Sequence, residues 1–147
     1  RVTPVQVSQT FLEMRDRFGV EFFVFDNLHT LIRDHTNVPE KVGAASKMFK
    51  DLSMEMHVPI LLIAQPRKIA KDEVMYYYDI RDSSSVPADA DVVCILHRNR
   101  APTEEGVKKS SFDSLTRFIV DASRWSAGGE CQLVFVDTYR QFEELEL

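Results

Sequence analysis

The residues best placed to do chemistry stand at the ends of two apolar runs and in one polar stretch. Asp26 closes the run F-F-V-F-D, and Gln65 closes the run I-L-L-I-A-Q. A carboxylate at the carboxyl end of a buried parallel strand faces the crevice in which α/β folds bind ligands, where it can hold a magnesium ion through water. An amide ending the next strand along the same edge can hydrogen-bond the γ-phosphate of a nucleotide and so report its presence. An apolar strand also ends in aspartate for structural reasons, as a helix cap or turn residue, so Asp26 by itself leaves both readings open. The polar stretch is Asp79 to Val93, D-I-R-D-S-S-S-V-P-A-D-A-D-V-V. Its serines beside Arg81 and Asp82 offer hydroxyl donors and a guanidinium in a segment no amphipathic period explains, which suits a loop that touches phosphates. Arg67, Lys68 and Lys71 precede it and, with Arg81, bracket an irregular segment with positive charge. Tyr76, Tyr77 and Tyr78 lie between, able to stack on bases or to pack on the domain's own surface.

These groups need rigid elements to hold them. Val7 to Phe18 places Val7, Phe11, Leu12, Met14 and Phe18 at roughly the helical period, and Gly19 stops the pattern. Phe22 to Phe25 is apolar without alternation, which predicts a strand buried on both faces of a parallel sheet. A second helical pattern starts near Pro39, carries Val42, Ala45, Met48, Phe49, Leu52 and Met56 on one side, and ends near His57. Pro59 then introduces the second strand. Strand, helix and strand with short links make a right-handed crossover, so the fold class is α/β with a mostly parallel sheet flanked by helices. After Gln65 the period vanishes for about 25 residues, the mark of a functional or mobile segment. Val92 to His97 is a third apolar strand. Asn99 to Ser114 reads as a solvated hairpin or flexible loop. R-F-I-V-D and C-Q-L-V-F-V-D, separated by a Gly-Gly pair, read as a C-terminal antiparallel strand pair.

A chain of 147 residues with 44% apolar residues supports one core, residues 1–147 forming one domain. No run approaches the roughly 18 to 20 apolar residues that cross a bilayer, and the amino terminus lacks the basic start and apolar core of a signal peptide. The expectation is a soluble intracellular protein with no membrane partner. Beginning at Arg1 rather than Met, the chain reads as a fragment of something longer. Cys94 and Cys131 lie inside apolar runs and read as buried core thiols. The four histidines, His29 and His35 in a loop, His57 ending a helix and His97 ending a strand, show no metal spacing. A net charge of −5 excludes a uniformly basic coat but leaves a local basic patch open.

Asp79 to Val93 resembles the D-L-R-E-S-G-S-I-E-Q-D-A-D-V-V segment of replicative hexameric helicases of the DnaB type. V-P-I-L-L-I-A-Q-P-R-K is similar to the V-P-V-I-A-L-S-Q-L-N-R segment of that family, and F-F-V-F-D-N-L-H resembles its strand-Asp-Tyr-Leu-Gln segment. F-I-V-D-A-S-R-W-S-A-G-G-E resembles I-I-A-K-N-R-N-G-P-T-G. The motifs occur in the family's order from about Phe22 to Phe142. The resemblance implies the C-terminal part of a RecA-like, P-loop NTPase core, with Asp26 at the Walker B position holding Mg2+ and Gln65 acting beside it on ATP. It implies that Arg124 is an arginine finger acting on the ATP of a neighbouring subunit, and that ATP binds between subunits of a hexameric ring. Arg81, Asp82 and Ser84 fall on the R-E-S-G positions, so with Arg67, Lys68 and Lys71 they are the candidate contacts to the backbone of single-stranded DNA. A primase or loader is a further partner the resemblance allows. Two departures are plain: Ser84 replaces the family's glycine, and Ala122 replaces the lysine two residues before the finger.

No G-x-x-x-x-G-K-[ST] occurs, and the resemblance places the family's catalytic glutamate between that loop and the Walker B strand, upstream of Arg1, so the isolated chain is expected not to hydrolyse ATP. Two other readings stand beside the helicase. One is a RecA- or RadA-type recombinase, which shares the core but has no reason for D-I-R-D-S-S-S-V-P-A-D-A-D. The other is a truncated, non-catalytic module that assembles with an intact ATPase.

Overall fold

The computed structural model describes residues 2–32, 36–70, 73–81, 85–100 and 112–145. Its contacts divide the chain into two units, Arg1–Arg67 with Ile80–Ala90, and Lys68–Asp79 with Asp91–Leu147.

In the first unit, helix α1 (Pro4–Phe18) starts on a capping box: the Thr3 hydroxyl accepts from the Gln6 N–H at 3.1 Å and the Gln6 side chain accepts from the Thr3 N–H at 2.9 Å. Pro4 occupies a first-turn position where its missing N–H costs nothing. The helix ends on Gly19 at φ 64°, the left-handed conformation a side chain disfavours. Strand β1 (Phe23–Asp26) pairs in parallel with β2 (Ile60–Ile63), Phe23 opposite Ile60 and Asp26 opposite Ile63. Between them run a 3-10 turn (Leu28–Leu31) and helix α2 (Val38–Met56), which ends with His57 at φ 55°. Val42, Ala45, Phe49, Leu52 and Met56 are buried, and Met48 packs against them, so the expected stripe is the one used. Phe11 stacks on Phe23 with ring centroids 4.2 Å apart, and Phe49 meets Phe25 at 4.8 Å. The short helix α3 (Val86–Asp89) adds Val86 to this core.

The strands differ from expectation in one respect. Phe23 is buried and Phe25, Ile60 and Leu62 are partly so, but Val24 is 53% exposed and Leu61 50%. Helices cover one face of this pair, so an unbroken apolar run does not here mean two buried faces.

The second unit is a four-stranded antiparallel sheet in the order β3-β4-β5-β6, with β3 Val92–Arg100, β4 Phe112–Ser123, β5 Gly129–Val136 and β6 Gln141–Glu144. The antiparallel part therefore extends beyond a pair and includes the strand that starts at Val92. β3 and β4 pair with each other, as a hairpin reading of the intervening gap requires, though residues 101–111 lie outside the described residues. Gly128 at φ 78° makes the β4–β5 turn, where a Cβ would strike the Val120 carbonyl. β6 carries no apolar alternation, with all four residues exposed, and so leaves no strand signal in the sequence.

The cysteines correct an expectation. Cys94 and Cys131 are both exposed: strand alternation turns Val93 and Ile95 inward and Cys94 outward, and Cys131 lies in the exposed first half of β5. Partial desolvation by its surroundings still raises the Cys94 thiol above its ordinary pKa, which disfavours the reactive thiolate. His97 lies within β3 rather than at its end, is buried, and meets Asn99 Oδ1 at 2.9 Å. His35 lies outside the described residues. Among the described residues, no helix is long and apolar enough to cross a membrane.

Candidate functional site

Asp26 is the last residue of β1, and Gln65 follows the last residue of β2 by two positions. Since β1 and β2 are parallel and Asp26 lies opposite Ile63, both residues leave the same carboxyl edge of the pair, and both are exposed there. The buried side chains on the other face of the strands hold that edge against α1 and α2.

The described residues after Gln65 form short elements. The Gln65 carbonyl accepts from the Arg81 N–H at 2.9 Å, and Pro66 forms an antiparallel bridge with Ile80. Arg67 and Arg81 each stand one residue beyond this bridge, on its two strands, and both are exposed. Elements of one to three residues are too short to repeat a hydrophobic period, which is why the sequence hid them. Asp26, Gln65, Arg67 and Arg81 thus share the first unit, while Lys68, also exposed, and Arg124 belong to the second. Lys71, Asp82 and Ser84 lie outside the described residues.

In the second unit a 3-10 turn (Tyr77–Asp79) carries the tyrosines. Asp79 is fully buried and accepts from the Tyr76 N–H at 2.9 Å, so the first residue of the Asp79 to Val93 stretch shapes the turn instead of meeting a phosphate. Tyr76 and Tyr78 stack at 5.5 Å, and the Tyr77 N–H donates to Asp121. Desolvation raises the Tyr78 phenol above its ordinary pKa, with further contributions from Asp79, Tyr76, Glu73 and Asp121. Tyr76, Tyr77 and Tyr78 are 40%, 42% and 59% exposed.

Arg124 sits in the turn after β4, with its side chain 54% exposed. Its backbone N–H donates to the Asp91 carbonyl at 2.9 Å, and its Nε lies 3.3 Å from Asp91 Oδ1. Asp91 is a residue the sequence analysis did not single out, since its place opposite the end of β4 is set only by the strand pairing.

Among the described residues no group of three or more His, Cys, Asp or Glu side chains is placed to hold a metal ion. Asp26 offers one carboxylate on an open edge, which fits magnesium, since that ion keeps several waters and takes one or two carboxylates beside substrate phosphates.

A parallel pair with its polar residues at the carboxyl edge, helices packed on it and an antiparallel sheet later in the chain agree with a RecA-like fold. The family model of the DnaB-like helicase C terminal domain matches residues 1–144, and the chain belongs to this family. It is 27% identical over 139 residues to the replicative DNA helicase DnaB of Geobacillus stearothermophilus, covering 90% of this chain and 30% of that protein. Against the replicative DNA helicase DnaB of Treponema pallidum the identity is 29% over 125 residues, covering 84% and 26%. The chain therefore spans less than a third of these relatives. The fold matches a solved ATPase domain with a TM-score of 0.77 at 20% identity, covering 98% of this chain and 52% of that one. It also matches a DnaB-like replicative helicase studied with its primase interactions, with a TM-score of 0.76 at 21% identity, covering 98% and 35%. Membership of the helicase family removes the reason to prefer a recombinase.

Proposed function

We propose that residues 1–147 are the Walker B-onward part of the ATPase domain of a replicative DNA helicase, a ring that moves along single-stranded DNA and unwinds duplex in the cytoplasm. The observation that carries this reading is the shared edge of Asp26 and Gln65, with the Gln65 main chain bonded to that of Arg81. Asp26 would hold Mg2+ through water and Gln65 would hydrogen-bond the γ-phosphate of ATP. The bound nucleotide supplies the free energy for movement. Arg67, Lys68 and Arg81, with Lys71, Asp82 and Ser84, would touch the DNA backbone, which carries no base information and suits a motor that must track any sequence. Arg124 would act in trans across a hexamer interface. Primase is a partner by analogy with the solved DnaB-like helicase.

The test is strand displacement from a forked duplex by the full polypeptide that carries this chain. Displacement that requires ATP and Mg2+ supports the reading, and its absence in an assembled ring overturns it. In the same preparation Arg81→Ala should flatten the plot of log affinity for single-stranded DNA against log salt by about 0.7, the share of one phosphate contact. An unchanged slope removes Arg81 from the DNA path.

Asp91 would aim the finger. The Arg124–Asp91 pair is exposed at both ends, 54% and 36%, and an ion pair so placed contributes at most about 1 kcal/mol. Asp91→Asn should therefore slow hydrolysis by no more than about fivefold, through kcat rather than nucleotide affinity. A loss as deep as that of removing Arg124 itself would mean that Asp91 meets the substrate directly.

A further inference from the structure

His29 lies in the 3-10 turn that follows β1, three residues beyond Asp26. Its Nδ1 is 3.3 Å from the Gln65 backbone nitrogen, and its Nε2 is 3.1 Å from the Arg81 carbonyl oxygen. A backbone N–H can only donate and a carbonyl can only accept. Nδ1 must therefore accept and Nε2 must carry the proton, which selects one neutral tautomer of the two available to imidazole.

The position of the ring has a specific meaning. Residues facing each other as a hydrogen-bonded antiparallel pair exchange two bonds, each N–H to the other's carbonyl. Gln65 and Arg81 make one of them directly, Arg81 N–H to Gln65 O at 2.9 Å. The other, Gln65 N–H to Arg81 O, is taken up at both ends by His29. The imidazole is inserted into the missing ladder bond, with Gln65 N–H donating to Nδ1 and Nε2–H donating to Arg81 O.

We propose that His29 is a positioning residue that locks the end of β2 to the strand carrying Arg81, so that a shift of Gln65 is passed to Arg81 as one rigid unit. This rests on the roles given above to Gln65 on the nucleotide and Arg81 on DNA. A donor and an acceptor must both be present on the side chain at position 29. Glutamine supplies the two on one amide, leucine supplies neither, and glutamate supplies only the acceptor.

The experiment measures binding of a fluorescent single-stranded oligonucleotide by the full polypeptide, with and without a non-hydrolysable Mg-ATP analogue. The quantity read is the ratio of the two affinities. His29→Leu is expected to lower that ratio by about tenfold, the effect of losing two hydrogen bonds, and His29→Gln to recover most of it. Should His29→Leu fail to assemble, His29→Glu takes its place, with a loss of about threefold expected for the one bond it cannot donate. A ratio in His29→Leu or His29→Glu equal to that of the parent overturns the proposal, as does a His29→Gln ratio no better than theirs, which would assign the ring to packing alone. Gln65→Ala and Arg81→Ala run alongside separate the two levels. If Gln65→Ala keeps the nucleotide effect, or Arg81→Ala keeps full DNA affinity, the underlying site assignment fails whatever His29 does.

Discussion

Replacing Arg124 with alanine in the full ring should cut ATP hydrolysis by about 10³- to 10⁵-fold while leaving nucleotide binding nearly intact. The reason is that a finger reaching a neighbour's ATP meets charge that develops only as the γ-phosphoryl departs, so it stabilises the transition state more than the bound ground state. The chain carries Ala122 where the family's lysine stands, so the proposed trans contact rests on Arg124 alone or on another cation that substitutes for the lysine. The structure is compatible with such a reach. The guanidinium stands more than half exposed, and its Nε is oriented by Asp91. Mixing is the sharper measurement. Rings doped with Arg124→Ala subunits and with subunits defective at Asp26 should regain some activity, since an intact Asp26 then faces an intact Arg124 at some interfaces. No recovery, with both variants assembling and binding ATP, would rule out a purely pairwise trans role or require every site to fire together.

The largest effect on stability should come from Phe49→Ala, at about 3 to 5 kcal/mol. Phe49 is 3% exposed and joins three elements, contacting Phe25 of β1 at 4.8 Å and Phe11 of α1 at 6.2 Å between ring centroids. Truncation removes the transfer energy of the ring and leaves a cavity that a neighbouring helix and strand cannot both close. Val24→Ala, one residue from Phe25 on the open face of the same strand, should shift stability by only about 0.5 kcal/mol. Urea unfolding of the two variants tests the contrast. Equal shifts would mean that the core does not lie between α1, α2 and the inner face of β1.

The sequence by itself determined the two long helices, the two parallel strands and their shared edge. Gly19, Pro39 and the spacing from Val42 to Met56 encode caps and a buried stripe that local chemistry enforces, and F-F-V-F-D with I-L-L-I-A-Q encodes two strands ending in polar residues. Asp26 and Gln65 were legible as partners because parallel strands must deliver their carboxyl ends to one side. Which faces are covered was not legible. Val24, Leu61 and Cys94 have apolar neighbours in sequence, and only the packing of helices and the pleat decides that they face outward. The exposed β6, the buried Asp79 and the contacts of Asp91 and His29 were equally silent. Those contacts join residues 33, 36 and 52 positions apart. No local propensity encodes them: a hydrogen bond of that range exists only after the tertiary fold has brought donor and acceptor within reach.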